Sequence, residues 1–567
     1  MEVEEVFTFL GSFGRYQRFI FVLMCLVMIP CAFVRQVNTF LGASTDHYCQ
    51  VADNQTYEEL SPLKLCTIPT RGVHPDAGYT DSGNYTNSVY WEQCVQYDVN
   101  ISNFTNLTYV PQDCDGDTAR DVVSCHSWVF DRSTYDNTVV HEFSLVCGRE
   151  WLNDLAQRMI PIGNLIGAVV LGQLADIFGR KHVFFTSIIL TFLAGFATTF
   201  SPNVIFYMVG QLTLGFFHSG VYIVSIVIGI EIVTEGHRAM GVTMIMCTYA
   251  FGYMLVAVLA LLLKSNWQRL LFTISITWLV YFPYYWIVPE SLRWLINRRR
   301  FMKAHALVDR IAEHNKVELP ANFYKKCFPS SMNEPHQKRT IVDLFKRRRL
   351  FGRVCIACII WFSISCTYFG IYLEAGELSM SPYLRPVVTT IVEIPSFLLT
   401  WFLVTVIGRR TMLTLNTAFA GLSLIASVFV GHFIVSMTFL FIGKLFAACS
   451  YAVAHIITLE FLPTPVRSVG FGLSFAFSCL GAVVCPSILQ LSDIWRPLPF
   501  LVFSLLSLAS AGLALLLPKT VSKKLPETME EGDALKRRGS RMYETDGKDS
   551  ENPSSGVKLQ LESEDGL

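Results

Sequence analysis

The chain has 567 residues, of which 52% are hydrophobic and 16% charged, and its formal net charge is zero. This neutral balance predicts no nucleic-acid partner. Apolar runs of about 20 residues, the length of a bilayer-spanning helix, recur along the sequence, and the short alternating segments of a membrane β-barrel are not seen. The predicted partner is therefore the lipid bilayer, which a chain crosses as helices. The start Glu2-Val-Glu-Glu5 lacks the basic region of a cleavable signal peptide.

Twelve apolar segments are predicted to span the bilayer as helices. In the first half they cover residues 19–42, 152–173, 182–200, 204–230, 241–263 and 268–288. In the second half they cover residues 350–373, 383–405, 411–431, 437–459, 468–490 and 497–517. The predicted fold class is an all-α membrane protein, and an even number of spans places both termini on the same side of the membrane.

The distribution of basic residues predicts which side that is. Residues 289–349 contain Arg298-Arg-Arg300 and Lys346-Arg-Arg-Arg349, and an excess of Lys and Arg marks cytoplasmic loops. We therefore expect a cytoplasmic loop at 289–349, between two six-helix halves. The halves are residues 19–288 and 350–517, with a cytoplasmic N-terminus at 1–18 and a polar, disordered cytoplasmic tail at 518–567.

The segment 43–150, between the first two predicted helices, is then extracellular. It contains five Asn-X-Ser/Thr sequences that accept N-glycans, and six cysteines, an even number that predicts three disulfides. The glycosylation residues are Asn54, Asn84, Asn100, Asn103 and Asn106, and the cysteines are Cys49, Cys66, Cys94, Cys114, Cys125 and Cys147. Six cysteines allow fifteen pairings, among which the sequence does not choose.

Three shorter patterns lie in the cytoplasmic segments. Ala304, Leu307, Val308 and Ile311 have helical spacing, which predicts an amphipathic helix at 301–314 beneath the membrane helices. In the tail, Arg537-Arg-Gly-Ser540 resembles a basophilic kinase site. The terminal Asp565-Gly-Leu567 is a weak match to a ligand of PDZ proteins.

The sequence contains an internal repeat. The charged stretch Gly172–Lys181 has a counterpart at Ile407–Arg410, and Gly179 and Gly408 are 229 positions apart. With the same offset, Glu231, Arg238 and Gly241 recur as Glu460, Arg467 and Gly470. Two parallel six-helix repeats are typical of transporters built from related halves.

Charges recur at the cytoplasmic helix ends of both repeats. Such charges can join helices when the cytoplasmic side is closed and separate when it opens, which suits alternating access. The alternative is that they are solvated loop charges that only set topology. The predicted gating residues are Asp176, Arg180, Lys181, Glu231, Arg238, Arg409, Arg410, Glu460 and Arg467, with Glu231–Arg238 and Glu460–Arg467 as the repeated pairs.

The sequence contains no Gly-x-x-x-x-Gly-Lys-Ser/Thr loop for ATP, no His-Glu-x-x-His zinc motif and no Gly-x-Ser-x-Gly nucleophile motif. An enzyme is therefore not predicted, and neither is a cofactor or a metal site.

Several motifs resemble one family of transporters. Gly172–Lys181 is similar to the loop between helices two and three of the major facilitator superfamily, and Pro289-Glu-Ser-Leu-Arg-Trp-Leu295 to its motif after helix six. The long cysteine-rich loop, Thr138–Cys147 and Glu460–Arg467 resemble the organic cation, carnitine and organic anion transporter family, of the solute carrier 22 type. The resemblance covers residues 7–528 and implies twelve helices around a central cavity that opens to alternate sides.

The resemblance also implies a substrate site. Glu393 lies near the middle of helix eight, where a carboxylate is costly unless it is paired or lines a wet cavity. It would be a counter-charge for a cationic substrate or half of an internal salt bridge. Aromatic faces attract quaternary ammonium groups. In the family the equivalents of Tyr222, Tyr249, Trp361 and Tyr368 are aromatic or cavity positions, although such residues on their own are more often core.

Three positions depart from the family pattern. Cys479 stands in helix eleven, where the cation transporters carry aspartate and the anion and carnitine transporters carry arginine. Gln211 replaces an arginine of helix four, and Thr405 replaces an acid. The residue that discriminates cations from anions is therefore absent, although Tyr249–Met254 resembles the carnitine branch.

Three polar side chains remain in the predicted helices. Arg35 would either bind a substrate carboxylate or extend to the outer membrane surface, and the second is favoured. His455 would be a proton-sensitive cavity residue or a packed one, with neither favoured. His218 is predicted to be a packed histidine.

The predicted function is transport of organic cations or zwitterions such as carnitine across the plasma membrane, with sodium or proton coupling left open. The predicted substrate-binding residues are Glu393, Trp361, Tyr368, Tyr222, Tyr249, Cys479, Arg35 and His455. The alternatives are an organic anion transporter of the same fold and a receptor or binding protein that does not transport.

Overall fold

The computed structural model describes residues 3–50, 68, 70–73, 89–97, 122–320, 323–324, 341–374, 381–430, 432–520 and 525–534. Several predicted features lie outside these residues. They are the glycosylation residues Asn54, Asn84, Asn100, Asn103 and Asn106, the cysteines Cys66 and Cys114, and the tail motifs at 537–540 and 565–567.

Two sets of membrane helices make up most of the described chain. The first set is α1 (Arg15–Gln36, continued by Asn38–Leu41), α2 (Glu150–Phe178), α3 (Arg180–Thr199), α4 (Val204–Glu231), α5 (Arg238–Leu262) and α6 (Trp267–Thr277, continued by Trp278–Tyr281 and Tyr284–Ile287). The second set is α7 (Arg348–Glu374), α8 (Leu384–Ile391 and Glu393–Val406), α9 (Arg409–Phe429), α10 (Phe433–Phe461), α11 (Arg467–Leu489) and α12 (Leu498–Ala514).

In the described part of the chain, eleven helical segments are long and apolar enough to span a membrane, and α12 is an apolar helix of 17 residues. Each predicted span overlaps one of the twelve helices, so the all-α class with two six-helix repeats is confirmed. Some helices are longer than predicted, because polar residues continue them. For example, α2 ends at Phe178 rather than near residue 173.

Equivalent glycine turns join α2 to α3 and α8 to α9. Gly179 has a φ of 114° and Gly408 a φ of 90°, conformations that residues with a Cβ rarely adopt. A Cβ on Gly179 would also collide with the carboxylate of Glu290. We call the end of the helix bundle that carries both turns the turn end, and the opposite end, which carries residues 43–50 and 122–149, the loop end.

The two halves meet along two equivalent helix pairs, α2 with α11 and α5 with α8. The sequence repeat relates α2 to α8 and α5 to α11, so the two contacts are related by the same symmetry. A single buried apolar cluster crosses this interface and includes Ile223 of α4, Trp361 of α7 and Phe475 of α11. The helix pairs surround the site described below.

The segment between α1 and α2 contains short antiparallel strands. They are β1 (His47–Cys49), β2 (Thr70–Val73), β3 (Val89–Trp91), β4 (Val95–Tyr97), β5 (Val122–Ser124) and β6 (Trp128–Phe130). The pairs are β1 with β6, β2 with β3 and β4 with β5. Disulfides join Cys49 to Cys125 and Cys94 to Cys147. A short helix at Val139–Phe143 follows, with a capping box made by Thr138 and His141.

The amphipathic helix predicted at 301–314 occupies Phe301–Asn315 at the turn end. Ala304, Val308 and Ile311 are buried, and Leu307 is half-buried against the same core. Its C-terminal Asn315 donates to Leu10 O at 2.8 Å and accepts from the Tyr16 N–H at 2.9 Å. The helix is therefore attached to the start of α1.

Residues 525–534 belong to the tail that composition predicts to be disordered, but the structure places them against the turn end. Leu525 and Met529 are buried, and Met529–Ala534 forms a short helix. The disorder prediction is wrong for this stretch, because its two apolar side chains find an apolar surface among the membrane helices.

Candidate functional site

A cavity lies between the two halves, near the middle of the membrane helices. It is lined by Arg35 of α1, Tyr222 of α4, Met246, Tyr249 and Tyr253 of α5, Tyr368 and Phe369 of α7, Glu393 and Phe397 of α8, Tyr451 of α10 and Phe475 of α11. The structure thus brings together five of the predicted site residues, which are Arg35, Tyr222, Tyr249, Tyr368 and Glu393.

The other three predicted site residues lie behind the cavity wall. Trp361 is buried and donates through Nε1 to Thr458 at 3.0 Å. Cys479 is buried with its sulfur 3.8 Å from Arg35 Nη1. His455 is buried between Trp361 and Tyr222. These three residues support the lining and do not form it.

Glu393 is positioned by an interruption in α8. The helix stops at Ile391 and resumes at Glu393. Pro395 explains the break, since proline has no N–H to donate to the carbonyl of residue 391 and its ring clashes with that carbonyl. The interruption places the carboxylate at the centre of the bundle, where it is almost fully buried.

The carboxylate of Glu393 has two partners in the second half. Lys444 Nζ of α10 lies 3.0 Å from Oε1, with both side chains almost fully buried, and the Tyr368 hydroxyl donates to Oε1 at 2.5 Å. The alternative of an internal salt bridge therefore describes Glu393 in this structure. The sequence interpretation did not identify Lys444. The sequence does contain an indication, because Lys444 is a lone lysine in a long apolar helix. A charged side chain there is costly unless it is paired or lines a wet cavity.

Arg35 faces the cavity, so the favoured expectation that it extends to the membrane surface is wrong. Its guanidinium lies 4.9 Å from the centre of the Phe369 ring and contacts the sulfur of Cys479. Among the described residues no carboxylate forms an ion pair with Arg35.

The charges around the cavity therefore do not balance. Lys444 neutralises Glu393, and Arg35 remains as an additional positive charge at the cavity wall. Tyrosine and phenylalanine rings supply most of the remaining lining. The arrangement can bind a carboxylate at Arg35 and can stabilise an ammonium group against ring faces and Glu393.

His455 connects the two halves behind this wall. Its Nδ1 lies 2.7 Å from the carbonyl oxygen of Tyr451, and its Nε2 lies 3.0 Å from the hydroxyl of Tyr222 in the first half. The carbonyl requires a proton on Nδ1, so we assign the neutral tautomer in which Nε2 accepts from Tyr222. His218 is hydrogen-bonded to Asn164 and Cys31, which fits a packed histidine.

A second cluster of charged residues joins the halves at the turn end. Arg467 Nη1 of α11 lies 2.8 Å from Glu231 Oε1 of α4. Asp176 of α2 accepts from the backbone N–H groups of Val469 at 2.9 Å and Ser468 at 3.4 Å, at the start of α11. An acid at a helix N-terminus is stabilised by the unpaired N–H groups there.

Arg180 is the centre of this turn-end network. Its Nη2 lies 3.1 Å from Asp176 and 3.5 Å from Glu231, and it donates to the carbonyl of Thr464 at 3.0 Å. Thr464 precedes α11, so Arg180 also binds the second half. Four predicted gating residues, Asp176, Arg180, Glu231 and Arg467, thus form one buried network.

The predicted pairs Glu231–Arg238 and Glu460–Arg467 are wrong. Glu231 binds Arg467 and Arg180, while Glu460 lies 3.5 Å from Arg409 and attracts Arg238 electrostatically. The repeats face each other across a pseudo-twofold axis, and equivalent helix ends therefore exchange partners between halves.

The remaining two predicted gating residues make local contacts. Lys181 lies with Nζ 5.0 Å from the Tyr285 ring centre, and Arg410 Nη1 lies 3.5 Å from the carbonyl of Leu517. The Lys181 N–H donates to Glu290, as does the Arg180 N–H at 2.9 Å. Glu290 thus caps the start of α3, and burial raises the pKa of this carboxyl above its ordinary value.

Residues 525–534 add contacts that the sequence interpretation missed. Pro526 O accepts from the Thr464 N–H at 3.1 Å, and Glu527 lies 3.3 Å from Arg293. Arg353 Nη1 donates to the carbonyl of Gly532 at 2.7 Å. The tail segment thus contacts the network where the two halves meet.

Contacts between the halves also lie at the loop end. The side-chain amide of Gln36 donates to the hydroxyl of Tyr372. The Tyr383 hydroxyl donates to the carbonyl of Thr134 at 2.6 Å, and its ring stacks on Phe40. The cavity is therefore located between two sets of contacts that join the halves.

Within the described residues, the side chains that approach a metal-binding arrangement are His47, Cys94 and Cys147, at the loop end. The two cysteines form a disulfide with each other, and a disulfide offers no thiolate to a metal.

Sequence comparisons identify similar proteins over nearly the whole chain. Residues 150–531 match the family described as Sugar (and other) transporter. An "Organic cation transporter protein" of Drosophila melanogaster is 32% identical over 546 residues, covering 94% of this chain and 95% of the relative. The human "Organic cation/carnitine transporter 2" is 28% identical over 539 residues, covering 94% of each chain.

A structural comparison agrees on the fold. A proton:xylose symporter of the major facilitator superfamily, solved with 6-bromo-6-deoxy-D-glucose, superposes with a TM-score of 0.57. It is 19% identical, and the match covers 68% of this chain and 90% of the symporter. At an identity of 19% the similarity supports a shared fold only.

Proposed function

This chain belongs to the sugar (and other) transporter family and, within it, to the group of the organic cation transporter relatives. From that premise we propose that it carries an organic zwitterion, with one ammonium and one carboxylate group, across the plasma membrane by alternating access. The observation that carries the proposal is Arg35, a cavity-facing cation without a carboxylate partner among the described residues, in the same cavity as Glu393.

The carboxylate of the cargo would pair with Arg35. A guanidinium presents two parallel N–H groups to a carboxylate, and such bidentate pairs are strong in surroundings that exclude water. The Phe369 ring already lies against the guanidinium and restricts its motion. The carboxylate would thus give Arg35 a partner of opposite charge, while the zwitterion as a whole leaves the net charge of the cavity unchanged.

The ammonium group of the cargo would lie against aromatic rings and Glu393. Tyr222, Tyr249, Tyr253 and Tyr368 line the cavity beside the carboxylate, and ring faces attract ammonium groups that have lost water. The name of the human relative, an organic cation/carnitine transporter, includes a zwitterion of this chemistry.

The turn-end network would act as the gate. Asp176, Arg180, Glu231 and Arg467 join the halves in this structure, and their separation would open the cavity at that end. Arg238, Arg409 and Glu460 would do the same in the other repeat, with Lys181 and Arg410 holding the adjacent turns. Alternating access requires that these turn-end contacts and the loop-end contacts between the halves separate one after the other.

For topology we propose that residues 43–150 face the outside of the cell and that residues 289–349 and both termini are cytoplasmic. The glycosylation sequences and cysteines of the first segment and the basic residues of the second support this orientation. Epitope tags at the termini should react with antibody only in permeabilised cells, and glycosidase should shift the size of the surface protein.

Uptake in expressing cells tests the function. Labelled carnitine, tetraethylammonium and an aryl carboxylate are compared at equal surface expression, with and without sodium and at two pH values. We expect carnitine to accumulate most. Accumulation of the aryl carboxylate alone would favour organic anion transport, and accumulation of none of the three would favour a receptor.

A further inference from the structure

We propose that Lys444 is a tethered ammonium group that occupies the cation subsite of the cavity and thereby excludes organic cations that lack a carboxylate. The proposal rests on transport through this cavity, and it assigns the residue that sets the charge of the cargo.

The surroundings of the Lys444 ammonium are those of a cation-binding site. Nζ lies 3.0 Å from the Glu393 carboxylate, 3.2 Å from the centre of the Tyr368 ring and 5.4 Å from that of Tyr372. A carboxylate together with aromatic faces is the chemistry that recognises ligand ammonium groups. Lys444 therefore presents, from inside the protein, the same group that a cationic cargo would present from the cavity.

Charge counting gives the consequence for selectivity. With Lys444 on Glu393 the pair is neutral, so Arg35 gives the cavity one net positive charge. A monocation would enter against this charge and would share Glu393 with an ammonium that is already bound. A zwitterion adds a carboxylate for Arg35, which offsets both costs.

The geometry also gives the displaced ammonium a second position. Tyr372 lies one helical turn after Tyr368 on α7, and its hydroxyl is bonded to Gln36 of the first half. A lysine side chain has a flexible four-carbon stem, so an ammonium that leaves Glu393 can move towards the Tyr372 ring. Binding of cargo at Glu393 would thus change the surroundings of Tyr372, whose contact with Gln36 joins the two halves at the loop end.

The experiment compares uptake of carnitine and tetraethylammonium in wild-type protein, Lys444→Gln and Lys444→Arg, each corrected for surface protein. Glutamine can donate a hydrogen bond to Glu393 but carries no charge. We expect Lys444→Gln to gain tetraethylammonium uptake relative to carnitine by about tenfold or more, and Lys444→Arg to exclude it as wild-type protein does. An unchanged ratio in Lys444→Gln would overturn the proposal.

A double variant tests the proposal even if Lys444→Gln does not reach the surface. Glu393→Gln/Lys444→Gln removes both charges, and replacing a buried ion pair by neutral groups is often tolerated. Without the Glu393 carboxylate, the preference for carnitine over its isostere with a neutral tert-butyl group in place of trimethylammonium should be smaller than in wild-type protein, and the aromatic rings supply what remains of it. The measurement is inhibition of labelled carnitine uptake by each compound. A double variant that keeps the full wild-type preference would overturn the proposal, whereas wild-type protein that transports neither carnitine nor tetraethylammonium would overturn the proposed function.

Discussion

Arg467 of the second half and Glu231 of the first half form a buried ion pair across the interface, with Nη1 and Oε1 2.8 Å apart. The pair lies at the turn end, where Arg180 adds a second contact to Glu231 at 3.5 Å. Removing one partner of an isolated buried pair costs about 3–5 kcal/mol; removing Arg467 costs less than this, because Glu231 keeps the longer contact with Arg180. The state with a closed turn end therefore depends on Arg467.

We predict that Arg467→Ala lowers carnitine uptake about tenfold or more while the protein still reaches the cell surface. The substitution destabilises the closed turn end and shifts the equilibrium between the two access states. Surface biotinylation and initial uptake rates measure the two quantities separately.

The matched control is Arg348→Ala, an exposed arginine near the turn end. It should leave uptake unchanged, since exposed charges contribute little. Normal uptake by Arg467→Ala at normal surface abundance would remove the gating role of this residue.

A second prediction concerns the turn between α2 and α3. Gly179→Ala should destabilise the protein, because its φ of 114° is strained for alanine and the added Cβ meets Glu290. Strained backbone of this kind costs on the order of 1–3 kcal/mol. Displacement of Glu290 would also uncap α3. The measurement is the melting temperature of the purified protein.

Gly352→Ala in α7 is the control for this variant. A Cβ at Gly352 meets no atom within 4 Å, and alanine favours a helix over glycine by about 1 kcal/mol. We expect this control to be as stable as wild-type protein or more so. A Gly179→Ala protein with the same melting temperature as Gly352→Ala would contradict the explanation of the turn.

The fold was predictable because membrane helices are encoded locally. Long apolar runs and a repeated offset of 229 residues are properties of the sequence alone, and each helix satisfies its own backbone. The glycine turns were predictable for the same reason.

The pairing of charges was not predictable from local patterns. Proximity in the sequence predicts that Arg467 pairs with Glu460, whereas in the fold Arg467 pairs with Glu231 of the other half. The partner of Glu393 is equally distant: Lys444 follows it by 51 positions and reaches it only because α8 and α10 pack together. Contacts of this kind depend on which helices pack together, and the hydrophobic periodicity of a single helix does not specify its neighbours.

A third prediction tests the carboxylate subsite. Arg35→Gln should raise the KM for carnitine about tenfold or more, because a hydrogen bond to a charged group contributes about 1.5–3 kcal/mol. Arg35→Lys keeps the charge but loses the bidentate geometry, so its KM should lie between that of wild-type protein and that of Arg35→Gln. Concentration dependence of initial uptake gives the KM.

Arg269→Gln is the control for Arg35→Gln, since Arg269 is exposed at the start of α6. Its KM should equal that of wild-type protein. If Arg35→Gln keeps the wild-type KM for carnitine, the cargo carboxylate does not bind at Arg35.

The last prediction concerns stability in acid and rests on His141, outside the membrane helices. Burial, as the largest cause, and the nearby charge of Arg132 together lower the pKa of His141 from 6.5 to about 4. The neutral ring fits its contacts, because Nδ1 accepts from the Thr138 N–H at 3.4 Å and Nε2 lies 2.8 Å from the Thr45 hydroxyl.

The sign of the pH effect follows from the two protonation states. Between pH 6.5 and about 4 the unfolded chain binds a proton at this histidine and the folded chain does not, so acidification favours unfolding. The stability that His141 contributes is therefore complete above pH 6.5 and is lost as the pH falls towards 4. His141→Gln removes this titration and keeps a polar side chain.

Melting temperatures of the two purified proteins at about pH 7 and about pH 5 measure the effect. Other carboxyl groups titrate in both proteins alike, so the difference between the two pH dependences isolates His141. We expect wild-type protein to lose more stability on acidification than His141→Gln. Equal losses would mean that His141 is not held neutral by its surroundings in the folded chain.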